Sequence, residues 1–316
     1  MATSMTALRR QIGSAGDLKS VVRTMKASAA SAIGQYESAV AALADYASTV
    51  ERGLGVCLRA VALNDSHAYA SQNRADDSVV HAVVFGSDQG LVGRFNEEAV
   101  DHAVAALASS SAKLKTSPVV KVWAVGQRVH ERLLDAGIAP EGAFAVPGSV
   151  ELITRLVGQI LLAVQMPGNQ PLGGLVDREQ SGSLILFHNR PTGSGYASVS
   201  QRLLPLDERW QRGLARQPWP TAQRPEVLGS AEQALRAFIR EHLFVSLFRA
   251  SAESLASENA SRLAAMQRAD RNIGELLQDL HASFHRLRQA GIDEELFDVI
   301  AGFDAMSSND GASPLP

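Results

Sequence analysis

Both ends of this chain carry an apolar repeat whose steps alternate three and four. From Val22 the positions Met25, Ala29, Ala32, Tyr36, Ala39, Leu43, Tyr46 and Val50 follow without a slip. Near the other end Ile273, Leu277, Leu280, Phe284 and Leu287 step the same way, with Gly291 in the next place. Further back Ala252, Leu255, Leu263 and Met266 keep roughly that face, while Arg268, Asp270, Arg271, Glu275 and Asp279 lie off it. This spacing is the seam of a helix wound on another helix, and the stripe it leaves must be covered. Two such seams, one near each terminus, predict an antiparallel pair with the rest of the chain inserted between them. Many residues of the first seam are alanine, which favours helix and lets backbones approach. Gly13, Gly16 and Gly34 each weaken it by about 1 kcal/mol relative to alanine. A helix of about 55 residues would extend roughly 80 Å.

The insert reads as alternating strands and helices. The first helix, with Thr6 as its expected cap, runs to about residue 63, and a polar loop follows over 64–77. Val79–Phe85 is a nearly continuous apolar run, the pattern of a strand covered on both faces. A helix over 96–109, a strand over 118–125, and a helix over 127–136 stopped by Gly137 come next. Ser149 caps a third helix ending near residue 166. Residues 169–182 form a glycine-rich loop, and strands at 184–188 and 196–203 flank a turn over 191–195. The expected architecture is therefore a long antiparallel coiled coil of residues 1–63 and 230–303 with an inserted Rossmann-like α/β domain at 78–206. Residues 207–229, with their prolines, read as an extended excursion. Ser230 caps the last helix, and 304–316 read as a disordered tail.

Composition excludes several classes. A net charge of −3 gives no reason to expect nucleic acid. Cys57 is the only cysteine, so no disulfide framework or cysteine-rich metal site arises within one chain. The apolar runs are far too short to cross a bilayer, so no direct membrane insertion is expected. Arg9, Arg10, Lys19, Arg23 and Lys26, among many Ser and Ala and with only Asp17 as acid, have the composition of a transit peptide. Against that reading, the seam continues in phase from Val22 to Val50, which a cleaved leader has no reason to do.

Chemistry-bearing motifs are sparse. Gly86-Ser-Asp-Gln-Gly-Leu-Val-Gly93 is the only glycine-rich loop after a strand. It lacks the lysine of a P-loop and does not match G-x-G-x-x-G. The simpler reading is a structural turn built on Asp88, Gly90 and Gly93, where glycine permits positive φ. His281 and His285 lie one helical turn apart without a third ligand. No nucleophile-elbow motif is present. We therefore expect no catalytic residue, cofactor site or metal site. Arg23 and Lys26, three apart, should share one face of the first helix.

Four stretches in collinear order carry a family resemblance. Glu253-Ser-Leu-Ala-Ser-Glu-Asn-Ala-Ser-Arg-Leu-Ala-Ala-Met266, with Arg288-Gln289-Ala290, is similar to the C-terminal signature of the gamma subunit of F-type ATP synthases. Ile12 and Val21-Val22-Arg23-Thr24-Met25-Lys26 resemble that family's opening helix. Phe85–Gly93 resembles its D-R-G-L-C-G loop, and Ser200-Gln-Arg-Leu-Leu-Pro-Leu206 its Q-L-L-P-L strand end. The resemblance implies a central rotor shaft without an active site. Its implied partners are the alpha and beta catalytic subunits, the epsilon subunit and the membrane c-ring, on the cytoplasmic face of a bacterial inner membrane. It implies ring contacts through Arg23, Met25, Lys26, Arg262, Arg288 and Gln289, and contacts of the foot with the membrane ring through Trp219 and Arg224. The chain departs from the pattern at Gln89, where the family has Arg, at Arg94, where it has Gly, and at Arg224, where an acid often precedes the proline. Two other classes remain open on the residues alone. A coiled-coil tether would form a homodimer, and an enzyme would bind a ligand within 78–206.

The seam makes one direct prediction. Leu280→Asp places a carboxylate on the packed stripe and should cost about 2–3 kcal/mol in urea unfolding. An unchanged unfolding curve would put Leu280 off the packed face.

Overall fold

The structure, a computed structural model, describes residues 4–64, 79–111, 118–164, 182–193, 195–223 and 225–309. Its elements are α1 (Met5–Asn64), β1 (Val79–Phe85), α2 (Phe95–Ser111), β2 (Val119–Val125), α3 (Gln127–Asp135), β3 (Gly142–Phe144), α4 (Val150–Val164), β4 (Ser183–Thr192), β5 (Gly195–Leu204), α5 (Glu208–Arg216) and α6 (Ala231–Asn309). They group into two compact units, one of residues 1–28 with 264–316 and one of residues 29–263.

In the smaller unit the start of α1 and the end of α6 pair antiparallel. Ala15, Val22, Met266 and Ile273 are buried, with Met25, Ala265, Ala269, Leu277 and Leu280 packed around them. The cross-contacts run in opposite order along the two helices: Arg9 lies over the Phe284 ring at 5.4 Å, and Lys26 pairs with Asp270 at 2.7 Å. The first cap is Ser4 rather than Thr6. Its Oγ accepts from the Ala7 N–H at 3.2 Å, as an N-cap does for the third helical residue. Starting at Met5 puts Leu8 on the seam, so the repeat begins two heptads earlier than Val22.

The larger unit is a five-stranded sheet in the order β3-β2-β1-β4-β5. β1 to β4 are parallel, and β5 runs antiparallel to β4. The central strand β1 is buried on both faces because its residues alternate between two cores. Val80, Ala82 and Val84 pack with Val100, Ala103 and Leu107 of α2 and Val129 and Leu133 of α3. Val83 and Phe85 pack with Ile153, Val157 and Ile160 of α4 and with Leu54, Leu243 and Leu247 of the long helices. Strand β3 is only three residues long, too short for its period to be seen in sequence.

Two expectations are corrected here. Tyr46 is not on the seam: it is 45% exposed, and its hydroxyl donates to Glu241 at 2.7 Å, while Ala47 is buried instead. A straight α-helix drifts by about 20° per heptad against a 3.5 repeat, so after Leu43 the contact moves on to Ala47, Val50 and Leu54. The segment 207–229 is also not extended throughout. Asp207 accepts the Trp210 N–H at 2.8 Å and caps α5, which buries Leu214 before the prolines stop it. The expected loops at 65–77 and 169–181, Arg224, and the last part of the expected tail, 310–316, lie outside the described residues.

Helix α5 sits against α1 at Gly55. A Cβ there would come within 2.7 Å of the Leu214 carbonyl oxygen, a backbone atom that cannot swing away. Gly55→Ala should therefore destabilise by about 1–3 kcal/mol despite its better helix propensity. The check is urea unfolding beside Gly34→Ala, where a Cβ meets nothing within 4 Å and the helix should gain.

Candidate functional site

In a doubly wound sheet the crevice for a ligand lies beyond the carboxyl ends of the strands, where the strand order turns. Here that point is between β1 and β4, and α6 fills it. Three polar side chains of α6, one helical turn apart, reach across. The Glu253 carboxylate accepts from His188 Nε2 and Arg190 Nε, both at 2.9 Å. The Ser257 hydroxyl lies 3.0 Å from the Asn189 carbonyl and 2.9 Å from that of Glu253. The Ser261 hydroxyl donates to the Val92 carbonyl at 2.5 Å. His188, Asn189 and Ser257 are buried.

The parts that α6 grips are themselves fixed. Asn189 Nδ2 donates to the Phe95 carbonyl at 2.9 Å, and Ser198 Oγ donates to Asn189 Oδ1 at 2.6 Å. In the loop after β1 the Ser87 N–H donates to Asn96 Oδ1, and Asn96 Nδ2 donates back to Ser87 Oγ, both at 2.9 Å. Asp88 works at longer range. The N-cap of α3 is Gly126, which has no side chain to accept the helix's first N–H groups. Asp88 Oδ1 takes the Gln127 N–H and Oδ2 the Val146 N–H, both at 2.9 Å. Its charge also suits a helix N-terminus. Gly126 has φ 114°, and a Cβ there would meet the Ser87 backbone at 2.7 Å. The left-handed residues of the loop itself are Leu91 at φ 63° and Gly93 at φ 59°, while a Cβ on Gly90 would meet nothing within 4 Å. The loop is a set of internal bonds, and its amides are engaged at Ser87, where a phosphate cradle would keep them open.

Electrostatics at the joint follow from burial. Burial pushes the Glu253 carboxyl up, but the hydrogen bonds and charges of His188 and Arg190 outweigh it and the group ends below its ordinary value. Glu258, 5% exposed, is pushed up by burial despite its 2.6 Å pair with Arg262. His242, its ring tilted against that of Trp210 at 4.7 Å, is held down to about 4 by burial and by Arg249.

The residues expected at partner contacts are dispersed. Arg23 is exposed, but Lys26 turns to Asp270 and holds that carboxyl below the usual range, while Met25 packs on the seam. The opposite charge on α6 thus separates Lys26 from Arg23, three residues away. Arg262 is largely buried on Glu258, and Arg288 and Gln289 are exposed. Trp219 lines a small cavity with Arg52, Arg59, Leu214 and Pro218. His281 and His285 are exposed, and no group of three or more metal-ligating side chains converges among the described residues. No described helix is long and apolar enough to cross a membrane.

Two features escaped the sequence reading. The stripe Glu253, Ser257, Ser261 carries a usable signal, polar residues at i, i+4 and i+8 along a helix that also buries Ser246, Ser251, Ser254 and Glu258. The second is the end of α6, where Ile292, Leu296, Phe297, Val299, Ile300 and Phe303 are all exposed. Ile292, Leu296, Val299 and Phe303 again step four, three, four, but one residue out of phase with the seam that ends at Gly291, whose continuation falls on Glu294 and Asp298.

An α/β layer inserted in the chain between two long helices, its crevice crossed by one of them, defines a mixed α/β protein built on a helix pair. A family model described as ATP synthase matches residues 4–306. A protein of Paramagnetospirillum magneticum called ATP synthase gamma chain is 27% identical over 304 residues, covering 96% of this chain and 99% of the relative. One of Granulibacter bethesdensis with the same name is 27% identical over 314 residues at the same coverage. Among solved structures, a chain of the Euglena gracilis mitochondrial ATP synthase (OSCP/F1/c-ring, rotational state 3) shares the fold. Its TM-score is 0.57 at 15% identity, over 98% of this chain and 97% of that one. A chain of the Tetrahymena thermophila mitochondrial ATP synthase central stalk and c-ring gives 0.52 at 20%, over 79% and 99%. The chain belongs to the ATP synthase gamma chain family.

The Glu253 shift sets a pH dependence. A carboxyl held below its ordinary value stabilises the fold above that value, 4.5, and loses the contribution as pH falls through its lowered folded value. Glu253→Gln should flatten the acid limb of the stability profile below pH 4.5 and lower stability at pH 7. Thermal unfolding between pH 3 and 7 checks it, and parallel profiles for both proteins would refute it.

Proposed function

We propose that this chain is the central shaft of a rotary ATP synthase. It couples ion flow across a membrane to ATP synthesis or hydrolysis in a head of alpha and beta subunits. The observation that carries the reading is the bare end of α6. Its six large apolar side chains are 47% to 73% exposed, on consecutive turns beyond the last described pairing with α1. Such a stripe is a surface for a partner. A ring of subunits around the helix end supplies that cover. Family membership supplies the rest of the reading.

In this reading the shaft holds no active site. Its asymmetry selects which site of the surrounding head is open or closed, so binding energy is exchanged between conformational states as it turns. Arg23, Arg288 and Gln289 are exposed and available to the head as they stand, and Lys26 would contact it on releasing Asp270, while Met25 is packed on the seam and Arg262 on Glu258. Trp219 and Arg224 belong to the foot, toward the c-ring, with the epsilon subunit beside it. The complex lies on the cytoplasmic face of a bacterial inner membrane, to which this chain is peripheral.

The test is isolation of a tagged chain from solubilised native membranes. Alpha and beta subunits should co-purify with ATP hydrolysis, and the chain stripped of them should hydrolyse none. A tagged chain recovered only as a homodimer would favour the tether.

A further inference from the structure

We infer that Glu253, Ser257 and Ser261 form the joint that passes torque between α6 and the α/β layer, and that they are positioning residues for coupling. The inference rests on the shaft reading. Apolar packing is not directional, so a helix seated only on apolar contacts can turn or slide by small steps at low cost. Ala250, Ala252 and Ala256 are buried beside the stripe, and alanines offer few protruding groups to key a helix in place. Hydrogen bonds weaken steeply with angle, and those in a buried site leave costly orphans when broken. The stripe supplies them on three successive turns, each to a different anchor. Glu253 holds two side chains of β4, Ser257 the β4 backbone at Asn189 through a hydroxyl shared with the Glu253 carbonyl, and Ser261 the loop after β1 at Val92. Bonds at three levels oppose both rotation of α6 about its axis and sliding along it. Their anchors do not yield, because Asn189 is tied to Phe95 and Ser198, and the loop is tied through Ser87 to Asn96. The stripe therefore fixes the angular register of the helix on the sheet.

The experiment uses the assembled enzyme in inverted membrane vesicles. ATP hydrolysis and ATP-driven ion pumping are measured together and normalised to the amount of assembled complex. For Ser257→Ala/Ser261→Ala, pumping per ATP should fall about threefold or more while hydrolysis falls less. Ser261→Thr, which keeps the hydroxyl, should stay near the wild-type ratio, and Ser261→Ala alone should fall between. If the double variant assembles too poorly to assay, the two single Ser261 variants decide by the same ratio. A wild-type ratio in the alanine variants, or an equal fall in pumping and hydrolysis, overturns the joint, the second because it is the signature of plain structural damage. A wild-type chain that does not co-purify with ATP hydrolysis overturns the shaft reading, whatever the variants do.

Discussion

A buried polar group must find a partner, and the α/β unit is arranged around that constraint where α6 crosses the sheet. Each hydroxyl or carboxylate left unpaired there would cost roughly 1–3 kcal/mol. The helix brings a carboxylate and two hydroxyls, and the sheet answers with a histidine, an arginine and two carbonyls. At this register the Glu253 carboxylate and the Ser261 hydroxyl both meet partners outside the helix, so the bonds that satisfy them also favour this position of the helix. Apolar packing around them at Leu243, Leu247 and Leu255 supplies attraction, and the polar stripe supplies uniqueness.

The arrangement also changes the end of the sheet at which a doubly wound fold usually takes a ligand. Such sheets bind ligands beyond their carboxyl ends because loops part there and leave amides unpaired. In this chain the loop after β1 is closed on itself through Ser87 and Asn96, and Asp88 occupies the start of α3. The space above is taken by α6. Asp88 at that helix start stands where an anionic ligand would be drawn, so its carboxylate supplies from within the charge that a phosphate would bring from outside.

What sequence revealed here follows the range of each interaction. The seams at Val22–Leu43 and Ile273–Leu287 were legible because helical contact repeats every three or four residues. Tyr46 was misplaced because the repeat drifts, and because a tyrosine can leave the seam when its hydroxyl finds Glu241 on the facing helix. Helix α5 was hidden among prolines, and its single buried contact at Leu214 gives no period to count. Asp88 capping a helix 39 residues away and Glu253 holding a strand 65 residues back are pairings that no local pattern encodes. The resemblance did mark Glu253–Met266 and Phe85–Gly93 as special. Only the structure gives the reason, which is that one stretch closes over the other at Ser261 and Val92.

The ends of the two long helices make opposite demands. Seam residues of α6 as far as Phe284 meet α1, whereas from Ile292 to Phe303 large apolar side chains face water. If this end served only to complete a fold, the cheapest sequence would be polar, as it is at Arg286, Arg288 and Gln289 just before it. Phe297 and Phe303, at 69% and 73% exposed, are the opposite choice. A smooth apolar surface has one mechanical merit that a charged one lacks: it attracts its surroundings without fixing their angle, since the hydrophobic effect has no direction. Salt bridges or hydrogen bonds there would hold particular orientations and would have to break at each step of a turn. On the shaft reading, directional bonds at Glu253, Ser257 and Ser261 keep register, and the exposed apolar side chains at the end of α6, set among Asp293, Glu294, Glu295 and Asp298, hold a partner that slides past.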